Sequence, residues 1–274
     1  MVAAYATSNA ASLIVLLLTS LPQVLYTVFG WRVHISSNVN PSNFRRRSRT
    51  FSPAENVQRM RSIEGWLEEA EADLLIAAVT RAAAAVPDAP AVVEVGSYCG
   101  KSTVVLGSAL SAFDDATAVK IYAIDPHDGI VGALDQGVEQ MSPSLETFRQ
   151  NISNAGLDHL VEPIVKHSFE VEWDKPICFL FIDGLHDYAN VARDFYHFES
   201  SIAPGGFVAF HDYARCYPGV QLFVDELLVQ GRYEKVHQAL AMIVVRKKTE
   251  SEFSLPVRHQ SLPTPKSRLS GSGK

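Results

Sequence analysis

Two acids and two histidines stand at the ends of apolar runs in the second half of this chain. Asp183 closes the run Ile177-Cys-Phe-Leu-Phe-Ile182, and His186 follows three positions later. His211 and Asp212 close Gly205-Gly-Phe-Val-Ala-Phe210. Short apolar runs that end in a polar residue read as buried strands. In an open α/β sheet the strand ends form the ligand edge, so two neighbouring strands would set Asp183 and Asp212 side by side there. An unperturbed imidazole titrates at about 6.5, which makes His186 and His211 competing candidates for a general base. A plainer reading of His186, a hydrogen bond to a ligand or a backbone carbonyl, stays open beside it.

A second constellation lies earlier, in Glu94-Val-Gly-Ser-Tyr-Cys-Gly-Lys-Ser-Thr103. An apolar run, Ala91–Val95, ends at Gly96; Gly100 follows, and then an alanine- and valine-rich segment opens. That pattern is a strand, a tight turn and a helix N-terminus. Glycine lets backbone approach a ligand closely, and the helix start points free N–H groups at it. Three ligands compete for such a turn. Gly100-Lys101-Ser102 matches the end of a phosphate-binding P-loop, but the first glycine of that motif would fall on Val95. A dinucleotide turn needs a glycine where Tyr98 stands. A turn for S-adenosylmethionine (SAM), which carries no phosphate, suits the glycine spacing with Glu94 just before it.

The following residues favour the last of these. Lys120-Ile-Tyr-Ala-Ile-Asp125 is a second apolar run ending in an acid, the position from which a carboxylate bonds ribose hydroxyls. His127 and Asp128 follow in a loop placed to touch adenine or acceptor. Further strands are expected at residues 160–165, 177–182 and 205–210, with a closing antiparallel pair at 233–236 and 241–245. Helical patterns fall at residues 67–85, 102–112, 144–155, 191–202 and 221–229. Alternating strands and helices imply an α/β fold with a mainly parallel sheet covered on both faces.

The chain resembles class I SAM-dependent methyltransferases, in the branch that carries an E-[VI]-G-S-x-x-G-x-S-T turn and a later D-G-x-H-x-Y motif. The versions here are Glu94–Thr103 and Asp183-Gly-Leu-His-Asp-Tyr188, followed by Pro204-Gly-Gly-Phe-Val-Ala-Phe-His-Asp-Tyr213. The likeness spans roughly residues 55–248. It implies a Rossmann-like, seven-stranded, mainly parallel sheet with an antiparallel last strand and helices on both faces. It implies SAM as cofactor, held by Glu94, Gly96, Ser97, Tyr98, Gly100 and Ser102 in the turn, by Asp125 and Asp183, and by Ser168 near the adenine. It implies O-methylation of a small hydroxylated acceptor, with Asp183, His186 and His211 as catalytic candidates. Many relatives acidify the acceptor with a divalent cation, and a hard cation wants oxygen ligands. Asp183 and Asp212 are the pair for Mg²⁺. Relatives that use metal carry a third acid where His211 stands, and imidazole suits softer metals better. Two readings from other classes remain: a P-loop-like nucleotide hydrolase, and a non-catalytic SAM-fold module.

Composition fits one globular domain with appendages. The chain has 274 residues, 47% hydrophobic and 20% charged, with a net charge of −6 that gives no reason to expect nucleic acid. Cys99, Cys178 and Cys216 are odd in number and widely spaced, which points to a reducing compartment such as the cytoplasm. The segment from Ser12 to Trp31 is mostly apolar and uncharged, long enough for a membrane anchor, though Thr19, Ser20, Pro22, Gln23 and Thr27 interrupt it. Arg45–Arg47 and Arg49 behind it would keep the catalytic domain, residues 53–248, on the cytoplasmic side. Against this stand a helix buried on the domain and one packed on a second subunit in a homo-oligomer. Residues 129–143 are either an acceptor lid or an ordinary loop, and residues 249–274 read as a disordered tail.

Overall fold

The computed structural model of the protein describes residues 26–28, 31–33, 52–111, 119–133 and 137–253. Tyr26–Val28 (β1) and Trp31–Val33 (β2) pair as two short antiparallel strands. The rest of the Ser12 to Trp31 stretch lies outside the described residues. Among the described residues no helix is long and apolar enough to cross a membrane.

The described chain resumes with α1 (Pro53–Met60) and α2 (Glu69–Ala85). Then come β3 (Ala91–Val95), α3 (Lys101–Leu110), β4 (Lys120–Ile124), β5 (Ile130–Gly132), β6 (Val138–Gln140), α4 (Leu145–Asn154) and β7 (Val161–Ile164). The chain continues through β8 (Ile177–Ile182), α5 (Tyr188–Glu199), β9 (Ile202–Phe210), α6 (Pro218–Val229), β10 (Tyr233–Ala239) and β11 (Met242–Lys247). A last turn of helix, α7 (Glu250–Phe253), is tied back by Arg246, which pairs with Glu252 at 2.7 Å. The tail expected from residue 249 therefore starts with an ordered turn; residues 254–274 lie outside the description.

Seven strands form one sheet in the order β10-β11-β9-β8-β3-β4-β7. The pairs β3–β4, β4–β7, β3–β8 and β8–β9 are parallel, while β11 runs antiparallel to both its neighbours. The expected architecture is the observed one. From β3 the chain winds outward through β4 to β7, then returns to β8 on the other side. β3 and β8 thus flank the switch point, where α/β sheets open a crevice at their strand ends.

Alternation along the strands divides the core. Val92, Phe179, Phe181, Phe207 and Ala209 face the layer of α1, α2 and α3; Val93, Leu180, Ile182, Val208 and Phe210 face α5 and α6. Helix α1 was not legible as an element, because only Val57 and Met60 mark its buried face between polar neighbours. It is capped by Ser52, whose Oγ accepts the Glu55 N–H at 3.4 Å, and docked on α3 by Asn56, whose side chain donates to the Val105 carbonyl at 3.0 Å.

Candidate active site

The glycine turn sits at the switch point and is set by backbone. The Asp183 N–H donates to the Val95 carbonyl at 2.8 Å, and the Gly96 N–H to Ile124 at 2.9 Å. Gly96 has φ +87°, and a Cβ there would lie 2.0 Å from the Asp183 carbonyl oxygen, so only glycine closes this turn. Gly100, at φ +86°, caps α3 and accepts no side chain without pressing on Phe148.

Glu94 shares its strand face with Val92 and so points into the helix layer. It is fully buried and accepts hydrogen bonds from Ser102 Oγ at 2.5 Å and Thr103 Oγ1 at 2.6 Å. Burial pushes its carboxyl up to about 7, against the opposing pull of the two hydroxyls. Glu94 and Ser102 therefore bolt the turn to α3 rather than face a ligand, a correction to their expected place among cofactor contacts. Ser97 differs: its Oγ is buried with no partner. An orphaned hydroxyl beside two left-handed glycines fits a turn shaped for a polar ligand group.

Asp125, at the end of β4, accepts the Tyr98 N–H at 2.8 Å on one oxygen and the His127 N–H at 2.6 Å on the other. It joins the two loops between which a nucleoside would lie. Tyr98 turns its hydroxyl to Glu64 at 2.9 Å and packs its ring on Trp66. His127 is buried; its Nδ1 meets Ser144 Oγ at 2.8 Å, while Nε2 has no partner. Ser168, after β7, donates to the buried Asp194 at 2.5 Å.

The four polar residues from the two strand ends do converge. The ligand atoms of Asp183, His186 and Asp212 lie within 4.8 Å of one another. His186 Nε2 is 2.9 Å from Asp212 Oδ2, and its Nδ1 is buried without a partner. Tyr217 packs edge-on against the imidazole, with ring centroids 4.6 Å apart. Residues 129–143 contain the hairpin β5–β6, and its Gly132 abuts the same ring: a Cβ there would fall 2.7 Å from His186 Cε1 and Nδ1.

His211 is enclosed by three carboxylates. Its Nδ1 lies 3.0 Å from Asp183 and 3.1 Å from Asp212, and its Nε2 lies 3.0 Å from Glu71. Burial works against its charge, but Asp183, Asp212 and Glu71 outweigh that and raise its pKa well above the usual value. Each nitrogen thus faces carboxylate oxygens, the surroundings of a ring that donates from both. Asp212, despite burial, is held below the ordinary carboxylate range by its hydrogen bonds from His186 and His211. It has φ +58°, backbone strain that keeps its carboxylate between the two imidazoles.

The family profile described as "Methyltransferase domain" matches residues 93–213, the stretch from inside β3 to just past Asp212. That stretch, which holds the glycine turn and both aspartates, is similar to a methyltransferase domain. Solved structures agree on the fold. The O-methyltransferase NovP is 18% identical with a TM-score of 0.55, over 66% of this chain and 80% of that one. An O-methyltransferase from Bacillus cereus, in complex with SAH, is 18% identical with a TM-score of 0.51, over 72% and 90%. The SAH-bound methyltransferase PaMTH1 from Podospora anserina is 12% identical with a TM-score of 0.51, over 76% and 92%. The nucleotide-hydrolase reading is not favoured: Lys101, which a P-loop would aim at phosphate, donates to the Gly65 carbonyl at 2.8 Å.

Two residues of the methyltransferase site escaped the sequence. Glu71, on the first turn of α2, accepts from His211, from the Ala241 N–H at 3.0 Å and from the Glu68 N–H at 3.0 Å. Gly132 seats the hairpin on His186. An acid at a helix start looks like ordinary capping, and a glycine in a loop looks like any other; neither carries a signal of its long-range contact.

Proposed function

We propose that the protein is a SAM-dependent methyltransferase that methylates the oxygen of a small hydroxylated acceptor, with His186 as proton acceptor. One observation carries this reading. His186 is locked by Asp212 through Nε2, and its Nδ1 is unpartnered, buried beneath Gly132 of the β5–β6 hairpin. A donor held at the turn and an acceptor at His186 would meet across Asp183.

Gly96, Ser97, Tyr98, Gly100 and Asp125 line the cofactor position, with Ser168 and Asp194 toward the adenine end. Bound there, SAM would supply an electrophilic methyl group to the acceptor oxygen, with neutral thioether as the leaving group. The protein's part is positioning and proton removal. Asp212 holds the His186 tautomer that carries hydrogen on Nε2, which leaves Nδ1 free to take the acceptor's proton. The same carboxylate then stabilises the resulting imidazolium. His211, bonded to both aspartates, keeps Asp183 from swinging into the cleft.

A second reading keeps a divalent cation on Asp183, Asp212 and His186, whose donor atoms converge. Two carboxylates and an imidazole fit such an ion in type, and it would acidify an acceptor hydroxyl. His211 and His186 already bond those carboxylates, so the cation would compete with them. Kinetics separate the two. With His186 as base, chelator leaves turnover intact, and His186→Ala lowers kcat by about 10²–10⁴-fold while SAH binding measured by calorimetry is unchanged. Loss of turnover with chelator and its return with Mg²⁺ establish the metal reading instead. Absence of SAM and SAH binding rejects the function as a whole.

A further inference from the structure

We propose that the edge of the sheet carrying the glycine turn and His186 docks on a lipid bilayer, through apolar side chains and not through charge. Ten large apolar side chains stand exposed among the described residues. All but three, which lie along α5 and α6, belong to segments at one edge, where β3, β4, β7, β8 and β9 end. Trp66, 59% exposed, lies on the Tyr98 ring beside the glycine turn. Ile130 and Val138 stand in the hairpin after β4, and Phe169 in the turn after β7. Tyr188 opens α5 just beyond β8. Leu240 tips the β10–β11 turn, which reaches the same edge because the Ala241 carbonyl accepts the Tyr213 N–H at 2.7 Å, just past β9. Scattered singly, exposed apolar residues need no explanation; gathered at the mouth of a site, they mark a surface that something covers.

Leu240 is the least suited to its place. Ala239 pairs with Met242, so Leu240 and Ala241 form a two-residue hairpin loop. Such a loop asks for glycine, asparagine or aspartate at positive φ. Leu240 has φ +48° and is 62% exposed. The turn thus carries backbone strain for a side chain that faces water, and burial inside the protein does not offset it.

The spread of these side chains fits a bilayer better than a protein. They are strung along an edge seven strands wide, about 30 Å at the usual strand spacing, with exposed charges such as Asp128, Glu139 and Lys166 between them. A protein partner needs a contiguous dry core to its interface. A bilayer does not: separate apolar tips enter the acyl boundary while neighbouring charges stay among the headgroups, and Trp and Tyr suit that depth. Acids and bases are mixed along the edge, so the contact owes little to charge. The chain also has a second hold. Residues 12–25 are mostly apolar and uncharged. The 18 residues 34–51, at up to about 3.5 Å each, span up to about 60 Å between the β1–β2 pair and α1. That length lets the domain turn this edge to a membrane that holds the N-terminus. One weak lipid contact gives marginal binding, and two together give stable binding.

The test uses the full chain and vesicles of phosphatidylcholine and phosphatidylglycerol, with acyl-brominated lipid to quench any tryptophan that enters the bilayer. The wild type should partition onto the vesicles with part of its fluorescence quenched, and Trp66→Phe should lose much of that quenching. Leu240→Asp and Val138→Asp should each weaken partition by about 10-fold, the loss from roughly 50 Å² of apolar surface that no longer leaves water. High salt should leave these differences unchanged. Val229→Asp, at the far end of α6 on the opposite edge, should partition as the wild type does. All three aspartate variants should keep the wild-type melting temperature, since each replaces an exposed side chain. No partition of the full chain overturns the proposal. So does quenching untouched by Trp66→Phe, and so do Leu240→Asp and Val138→Asp variants that partition like Val229→Asp. A full chain that leaves vesicles alone but sediments as a dimer, broken by Leu240→Asp, makes the edge a contact between copies and likewise overturns it. SAH binding is a separate readout: its absence removes the methyltransferase reading and leaves the docking untouched.

Discussion

Nε2 of His211 lies 3.0 Å from Oε2 of Glu71, across 140 positions of sequence. This pair joins the start of α2 to the end of β9, and through the second oxygen of Glu71 to the Ala241 N–H in the β10–β11 turn. It holds His211 at one end while Asp183 and Asp212 hold it at the other. Glu71 is buried, so its removal leaves an imidazolium with one N–H unpaired inside the protein. Breaking a buried pair in this way costs about 3–5 kcal/mol. Glu71→Ala should show that loss in urea unfolding. Glu71→Gln keeps an acceptor oxygen and should lose clearly less. Equal losses would mean the charge of Glu71 contributes nothing beyond its shape.

Asp125 and Gly96 should separate cofactor binding from folding. Asp125→Ala removes the carboxylate that joins the Tyr98 and His127 loops, and is expected to weaken SAM binding by about 1.5–3 kcal/mol, the scale of hydrogen bonds to a charged group. Gly96→Ala forces a Cβ onto the Asp183 carbonyl in a left-handed conformation and should lower the melting temperature as well as abolish binding. Calorimetry and a thermal melt on both variants check this. Unchanged SAM affinity in Asp125→Ala would displace the ribose from β4.

Glu94 makes stability depend on pH. Its folded-state pKa of about 7 lies above the ordinary 4.5, so folding favours the protonated carboxyl. The stability from that preference is whole below the ordinary value and is lost as pH rises to about 7, a change of order 3 kcal/mol. Glu94→Gln keeps the bonds to Ser102 and Thr103 and cannot titrate. Its stability relative to the wild type, from urea unfolding at about pH 4.5 and about pH 8, should therefore improve with pH. Parallel pH profiles would show that Glu94 is ionised throughout.

The anchor expected in Ser12 to Trp31 overlaps the β1–β2 pair, which leaves a shorter apolar stretch before it for membrane attachment, and the packed region suggests the test. Ser52 caps α1 and Asn56 docks it on α3, so a chain begun at Ser52 should fold and bind SAH as the full chain does. The full chain should co-sediment with anionic lipid vesicles and resist high salt, and the shortened one should not. Equal partition of the two rejects the anchor.

Sequence alone determined the order of the seven strands of the main sheet and of helices α2 to α6, because apolar periodicity is a local signal and survives without knowledge of the partner surface. It also marked Gly96, Asp125, Asp183 and Asp212, since glycine at a turn and an acid at a strand end are legible from neighbours within a few positions. The side-chain assignments within those motifs were not. Glu94 reads as a ligand contact until the strand's pleat turns it into the α3 layer, where burial raises its pKa. His186 and His211 have equal claims as a base in one dimension, since a histidine's chemistry depends on what meets its two nitrogens. Only packing brought Glu71 and both aspartates to His211, making it a fixed cation, and left Nδ1 of His186 bare. Only the tertiary fold set Gly132 of the β5–β6 hairpin over that ring. Contacts between residues so far apart in the chain form when the sheet closes, and nothing local in the sequence encodes them.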